Sequence, residues 1–180
     1  MTNRRGLLTN DKGWSLPEIL VVCVLMTILS SALLFTVSLI QEAAYERAAT
    51  VELTNKARAV VEEMIWGIRP NAGTVNRRGI IEATGAVVAP TQIDYTDVDG
   101  DTHSIRSNND RIEYRLNGGA WTALMDASGA AAFDATQYST TLSFTQVNPQ
   151  AVSIRLVVGK TVRGRWQYAS ISTQASFRNA

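Results

Sequence analysis

Apolar and polar residues follow one another along this chain in three regimes. From Ile19 to Ile40, ILVVCVLMTILSSALLFTVSLI, 22 positions pass without a charge. A helix rises ~1.5 Å per residue, so this stretch would cover about 33 Å and could cross the hydrocarbon core of a bilayer. Further on, Leu53, Ala57, Val60, Val61, Met64, Ile65 and Ile68 recur at three- and four-residue steps, with Glu52, Lys56, Arg58, Glu62 and Glu63 on other faces. That period predicts a continuing amphipathic helix whose apolar stripe needs a surface to pack on. Pro70 and the following Asn71-Ala72-Gly73 predict its end near Arg69.

After Gly73 the period changes to two. Ile93/Tyr95, Ile112/Tyr114/Leu116, Leu142/Phe144 and Val152/Ile154/Leu156/Val158 alternate with polar residues, as half-buried strands do. Asp99-Gly100 separates strands expected at 92–97 and 103–107, Asn108-Asn109-Asp110 precedes one at 111–116, and Asn117-Gly118-Gly119 precedes Trp121. Asp126 to Thr136 reads as a Gly/Ala-rich loop, and Val162 to Phe177 as another strand or two. The expected fold class is α+β, one long helix laid on an antiparallel sheet. The expected divisions are 1–13, 14–40 for the membrane-spanning helix, 41–69 for its amphipathic continuation and 70–180 for a β head.

Charge adds an orientation. The first thirteen residues carry Arg4, Arg5 and Lys12 against Asp11, and no basic residue follows the apolar run until Arg47. The positive-inside tendency then places the N-terminus in the cytoplasm and the head outside. The apolar run is longer than the roughly 7–15 residues of a secretory signal, and no small-residue cleavage site closes it. Cys23 is the single cysteine, so no intrachain disulfide can form, and it reads as a small hydrophobe within the run. Glu18 stands at the head of that run, in Gly13-Trp14-Ser15-Leu16-Pro17-Glu18. Two readings are open: a carboxylate solvated at headgroup level, or one kept beside the membrane because it has a partner and a role.

The stretch DKGWSLPEILVVCVLMTIL, with its short basic leader, glycine, aromatic residue, glutamate and long apolar helix, resembles the prepilin signature of type IV pilins and type II secretion pseudopilins. Trp14 stands where phenylalanine is usual and Pro17 where an aliphatic residue is usual; proline is tolerated in a helix's first turn, where its missing amide has no acceptor. The resemblance implies cleavage between Gly13 and Trp14 by a prepilin peptidase and N-methylation of Trp14. It also implies that Glu18 pairs with the terminal amine of a neighbouring subunit during assembly. The partners implied are other pilin or pseudopilin subunits, the peptidase and an assembly platform in a bacterial inner membrane. The location implied is single-pass in that membrane, then a periplasmic or extracellular filament. Less specifically, TQIDYTDVDGDTHSIRS, DRIEYRLNGG, WTAL, TTLSFTQ, AVSIRLVV and SFRNA resemble the heads of minor pilins and the larger minor pseudopilins.

Asp97-Val98-Asp99-Gly100-Asp101 begins as a calcium-binding EF-hand loop does, but lacks the later glutamate and flanking helices. A polar hairpin turn is the plainer reading, a calcium site of another geometry at Asp97, Asp99 and Asp101 the sharper one; no other cofactor is expected. His103, the one histidine, has no cysteine or second histidine for a zinc or catalytic cluster and reads as a strand residue. Without a nucleophile elbow, Ser-x-x-Lys motif or phosphate-binding loop, the chain is not read as an enzyme. Arg77-Arg78 and Lys160, Arg163 and Arg165 read as solvated positions, and nothing points to nucleic acid as a partner. The competing reading is a signal-anchored extracytoplasmic binding or sensor domain that does not polymerise.

Overall fold

A computed structural model of the chain describes residues 14–68, 77–124 and 131–178. The expected leader at 1–13, the Arg69-to-Gly73 breaker and residues 126–130 of the Gly/Ala-rich loop lie outside the described residues. Helix α1 runs Leu16–Trp66, and the chain divides into two compact units, Met1–Ala44 and Tyr45–Ala180.

In the first unit the apolar residues of α1 from Leu16 to Ile40 are all exposed, Leu34 at 71% and Leu16 at 74%. This helix is long and apolar enough to cross a membrane. Its few polar side chains serve themselves. The hydroxyls of Thr27 and Thr36 donate to the carbonyls of Cys23 and Ala32, and those of Ser31 and Ser38 to Ile28 and Phe35, at 2.7–2.9 Å. Such back-bonding is how hydroxyls are tolerated where no water can serve them.

The second unit is built on the other end of α1. Ala49, Leu53, Ala57, Val60, Val61, Met64 and Ile65 are buried along one stripe, as their spacing predicts. The helix stops at Trp66, short of Arg69. Gly67 takes φ +78°, where a side chain would be strained, and a Cβ there would lie 2.3 Å from the Arg77 carbonyl oxygen. That turn leads into β1 (Gly67–Ile68), paired with β2 (Arg77–Arg78), so Ile68 is buried from a strand rather than from the helix.

A 3₁₀ turn at Ile80–Glu82 leads to a five-stranded antiparallel meander: β3 (Gly85–Ala89), β4 (Gln92–Thr96), β5 (Thr102–Asn108), β6 (Arg111–Leu116) and β7 (Thr122–Ala123). β8 (Ser139–Asn148), β9 (Ala151–Val162) and β10 (Arg165–Ser176) form a separate three-stranded sheet in the order β10-β9-β8. Among the described residues the single expected sheet is therefore three. Hydrogen-bond ladders divide it, while one core unites it: Ile93, Tyr95, Ile105 and Ile112 of the meander share a cluster with Leu142, Phe144, Val152, Ile154, Leu156 and Val158 and with the helix stripe. Leu116 departs from its expected inward place and is 42% exposed. Strand β3, with Ala86 and Val88 against the core, carries too short and small an apolar pattern to announce itself. The loop reading of 131–136 stands for the backbone, yet Ala132 and Phe133 are core residues. Phe133 meets the Tyr138 ring edge-on at 5.8 Å, with the Lys56 ammonium over both.

Candidate functional site

Residues of chemical interest fall in two places, one in each unit. At the start of α1, Ser15 directs both its backbone N–H and its hydroxyl to the Glu18 Oε2, each at 2.8 Å, and the Ser15 carbonyl accepts from Ile19. This is half of a capping box, in which the third helical residue reaches back to the residue before the helix. The Ser-x-x-Glu spacing is the sequence signal of this helix start. Glu18 is thus set at the first turn with a local donor, fully exposed, immediately before the uncharged run. Trp14 is 69% exposed. Gly13 lies outside the described residues.

In the second unit the turn after β4 gathers Asp97, His103, Tyr95 and Tyr114. Asp97 is 2% exposed and its Oδ1 accepts the backbone N–H of Asp99 and of Asp101, both at 2.9 Å. Its Oδ2 lies 3.0 Å from His103 Nε2, and His103 Nδ1 lies 2.8 Å from the Tyr114 hydroxyl. A carboxylate only accepts, so in a neutral imidazole Nε2–H donates to Asp97 and Nδ1 accepts from Tyr114. The imidazole also stacks on Tyr95, its cross-strand partner, with centroids 4.9 Å apart. Burial pushes the Asp97 carboxyl up, but the His103 contact and the two amides outweigh it and hold the group below the usual aspartate range. Burial likewise raises the Tyr114 phenol to about 12, against the lowering effect of Arg77.

The three carboxylates of the Asp97-x-Asp99-x-Asp101 turn do not converge. Asp99 pairs with Arg78, and Asp101 accepts from the Asn117 amide at 2.8 Å. Among the described residues no group of three or more histidine, cysteine, aspartate or glutamate side chains is placed to hold a metal ion. Each carboxylate already has a protein donor that a cation would have to displace.

Of the basic groups read as solvated, Arg163 and Arg165 are indeed exposed and Arg77 is not, and all of them have partners. Arg77 is buried, its guanidinium 5.6 Å from the Tyr114 ring centre, and Arg78 bridges Glu82 and Asp99. Lys160 pairs with Glu52, Arg165 with Glu46 at 2.8 Å, and Arg163 stacks 3.9 Å over Tyr45. The partners of Lys160 and Arg165 sit on α1, 108 and 119 residues earlier in the chain, and that of Arg163 lies beside them, so no reading of the strands alone could have found them. The Lys160 hydrogen bond holds the Glu52 carboxyl below its ordinary range. A shallow cleft of about 580 Å³ lies beside this contact, lined in part by Asp110, Gln137, Tyr138, Lys160 and Trp166. The Trp166 ring rests on Gly159, where a Cβ would lie 2.3 Å from it.

Comparison with family models, with curated proteins and with solved structures gives no match to this chain.

Proposed function

We propose that the chain is an assembly subunit of a type IV pilus-like filament or of a type II secretion system, a minor pilin or pseudopilin that works by incorporation rather than by catalysis. It is made as a precursor, cut between Gly13 and Trp14 by a prepilin peptidase, N-methylated on Trp14 and held in a bacterial inner membrane with its head outside. The observation that carries this reading is Glu18, a lone carboxylate in the first turn of a helix whose next 22 residues are uncharged and exposed. Such a surface is stable in lipid or against other apolar helices. A carboxylate moved into either environment needs a counter-charge. The amine created on Trp14 of a neighbouring subunit supplies one, so pairing with Glu18 sets register while the apolar helices pack. The Ser15 contacts hold Glu18 in the free subunit and keep it near the place where that amine would arrive.

The test is the N-terminal sequence of the protein purified from its host's membranes, read by mass spectrometry of the intact chain and its first peptide. A chain starting at methylated Trp14 is expected. An intact leader in a host with an active prepilin peptidase would replace this reading with that of an anchored binding or sensor domain.

A further inference from the structure

β10 is the outer strand of its sheet, and among the described residues β9 is its one hydrogen-bonded strand neighbour. It is 12 residues long, RWQYASISTQAS, with a single charge at Arg165 that is taken up by Glu46. From Trp166 to Ser176 there is no charge, proline or glycine. Its register against β9 runs without interruption from Arg165↔Val162 to Ser176↔Ala151. Edge strands expose a row of unpaired backbone groups, and proteins blunt them with charge, proline, bulges or brevity. β10 uses none of these over eleven residues, and among the described residues only its C-terminal end is flanked, by the 3₁₀ turn, where the Arg178 N–H donates to the Ile81 carbonyl at 2.9 Å.

The opposite edge of the same sheet is closed. β8 carries a register shift between Gln146 and Asn148. The Phe144 N–H donates to the Pro90 carbonyl at 2.9 Å, the Leu142 N–H to the Ser107 hydroxyl at 3.4 Å, and the Thr140 hydroxyl to the Asp110 carbonyl at 2.7 Å. Head-to-tail growth from β10 of one copy to β8 of the next therefore has no second edge to use.

We propose that β10 pairs antiparallel with β10 of a second copy about a two-fold axis, joining two three-stranded sheets into one. The strand satisfies its own requirements. Trp166, Tyr168, Ser170, Ser172, Gln174 and Ser176 form its exposed face, while Ala169 and Ala175 are buried and Ile171 is partly buried on the other. Directly opposed residues point to the same side of a sheet. A two-fold pair centred on a residue, Ser170 or Ile171, thus sets exposed face beside exposed face and apolar face beside apolar face. The two Arg165 side chains then fall at opposite ends of the ladder, so no like charges meet. Because the same patch serves both copies and β8 is closed, association stops at two. This pairing does not depend on the assembly role proposed above.

The mass of the full chain in detergent micelles or nanodiscs, followed over a concentration series, tests this. Two copies per particle are expected. With Cys23→Ser as background, mild oxidation should cross-link between chains whichever of Ser170→Cys and Ile171→Cys lies at the two-fold axis, and should leave Thr145→Cys, on the closed edge, uncross-linked. The combined Ser170→Lys, Ser172→Lys variant should halve the particle's protein mass with an unchanged circular dichroism spectrum. A wild-type chain that stays monomeric, or a dimer that survives the lysine pair, overturns the proposal. Should the lysine variant fail to fold, the cross-links decide: Thr145→Cys reacting as readily as the β10 positions refutes the pairing. The N-terminal processing result leaves this outcome untouched.

Discussion

Asp97 illustrates how much one side chain can organise. Its carboxylate serves two amides of its own turn and the imidazole of the next strand, and both the carboxylate and the imidazole are buried. The folded-state carboxyl is held below the ordinary value, so its stabilisation is complete above the unfolded-state pKa and is lost as pH falls through the folded one. Melting temperature followed from neutral pH down to about pH 2 should therefore drop at the acid end, and Asp97→Asn should flatten part of that drop while lowering stability at neutral pH. An acid limb identical in the variant would show that Asp97 does not contribute to it. The alternating carboxylates and the strand placement of His103 were legible in the sequence. Their meeting with Tyr114 was not, because Asp97, His103 and Tyr114 come from three successive segments that only the β4–β5–β6 register brings together.

The helical stripe was the most legible element, since seven residues at three- and four-residue steps leave few alternatives. Leu53 and Met64 are fully buried in it. Leu53→Ala removes packing that a continuous core cannot replace, and it should cost the second unit about 2–5 kcal/mol by denaturant titration of the detergent-solubilised chain. A cost below about 1 kcal/mol would mean the stripe is not sealed by the sheets as described. Turns were read where asparagine, aspartate and glycine marked them. Asn109 and Asp110, and Asn117 and Gly118, do take positive φ. The β9–β10 turn uses Arg163 and Gly164, at φ +50° and +79°, and was missed because arginine is not a usual residue for that conformation. The end of α1 was misplaced for a similar reason: proline is the louder signal, but Gly67 is the residue that leaves the helix.

For the molecule as a whole, the assembly reading turns on Glu18. Glu18→Val should leave membrane insertion and the fold of the second unit intact while greatly reducing incorporation into filaments, measured as the fraction of subunit recovered in sheared or sedimented polymer. Unchanged incorporation would confine Glu18 to its capping contact with Ser15. By itself the sequence determined the apolar span, the helical stripe, the α+β class and most strands, because those depend on periodicity and on residues near one another in the chain. The tertiary structure alone decided that the strands form separate sheets around one core. It also tied Lys160, Arg163 and Arg165 to α1, buried the Asp97–His103 contact, and closed one sheet edge while leaving most of the other open. Each of these is a juxtaposition of distant residues, set by register and packing, which no local pattern encodes.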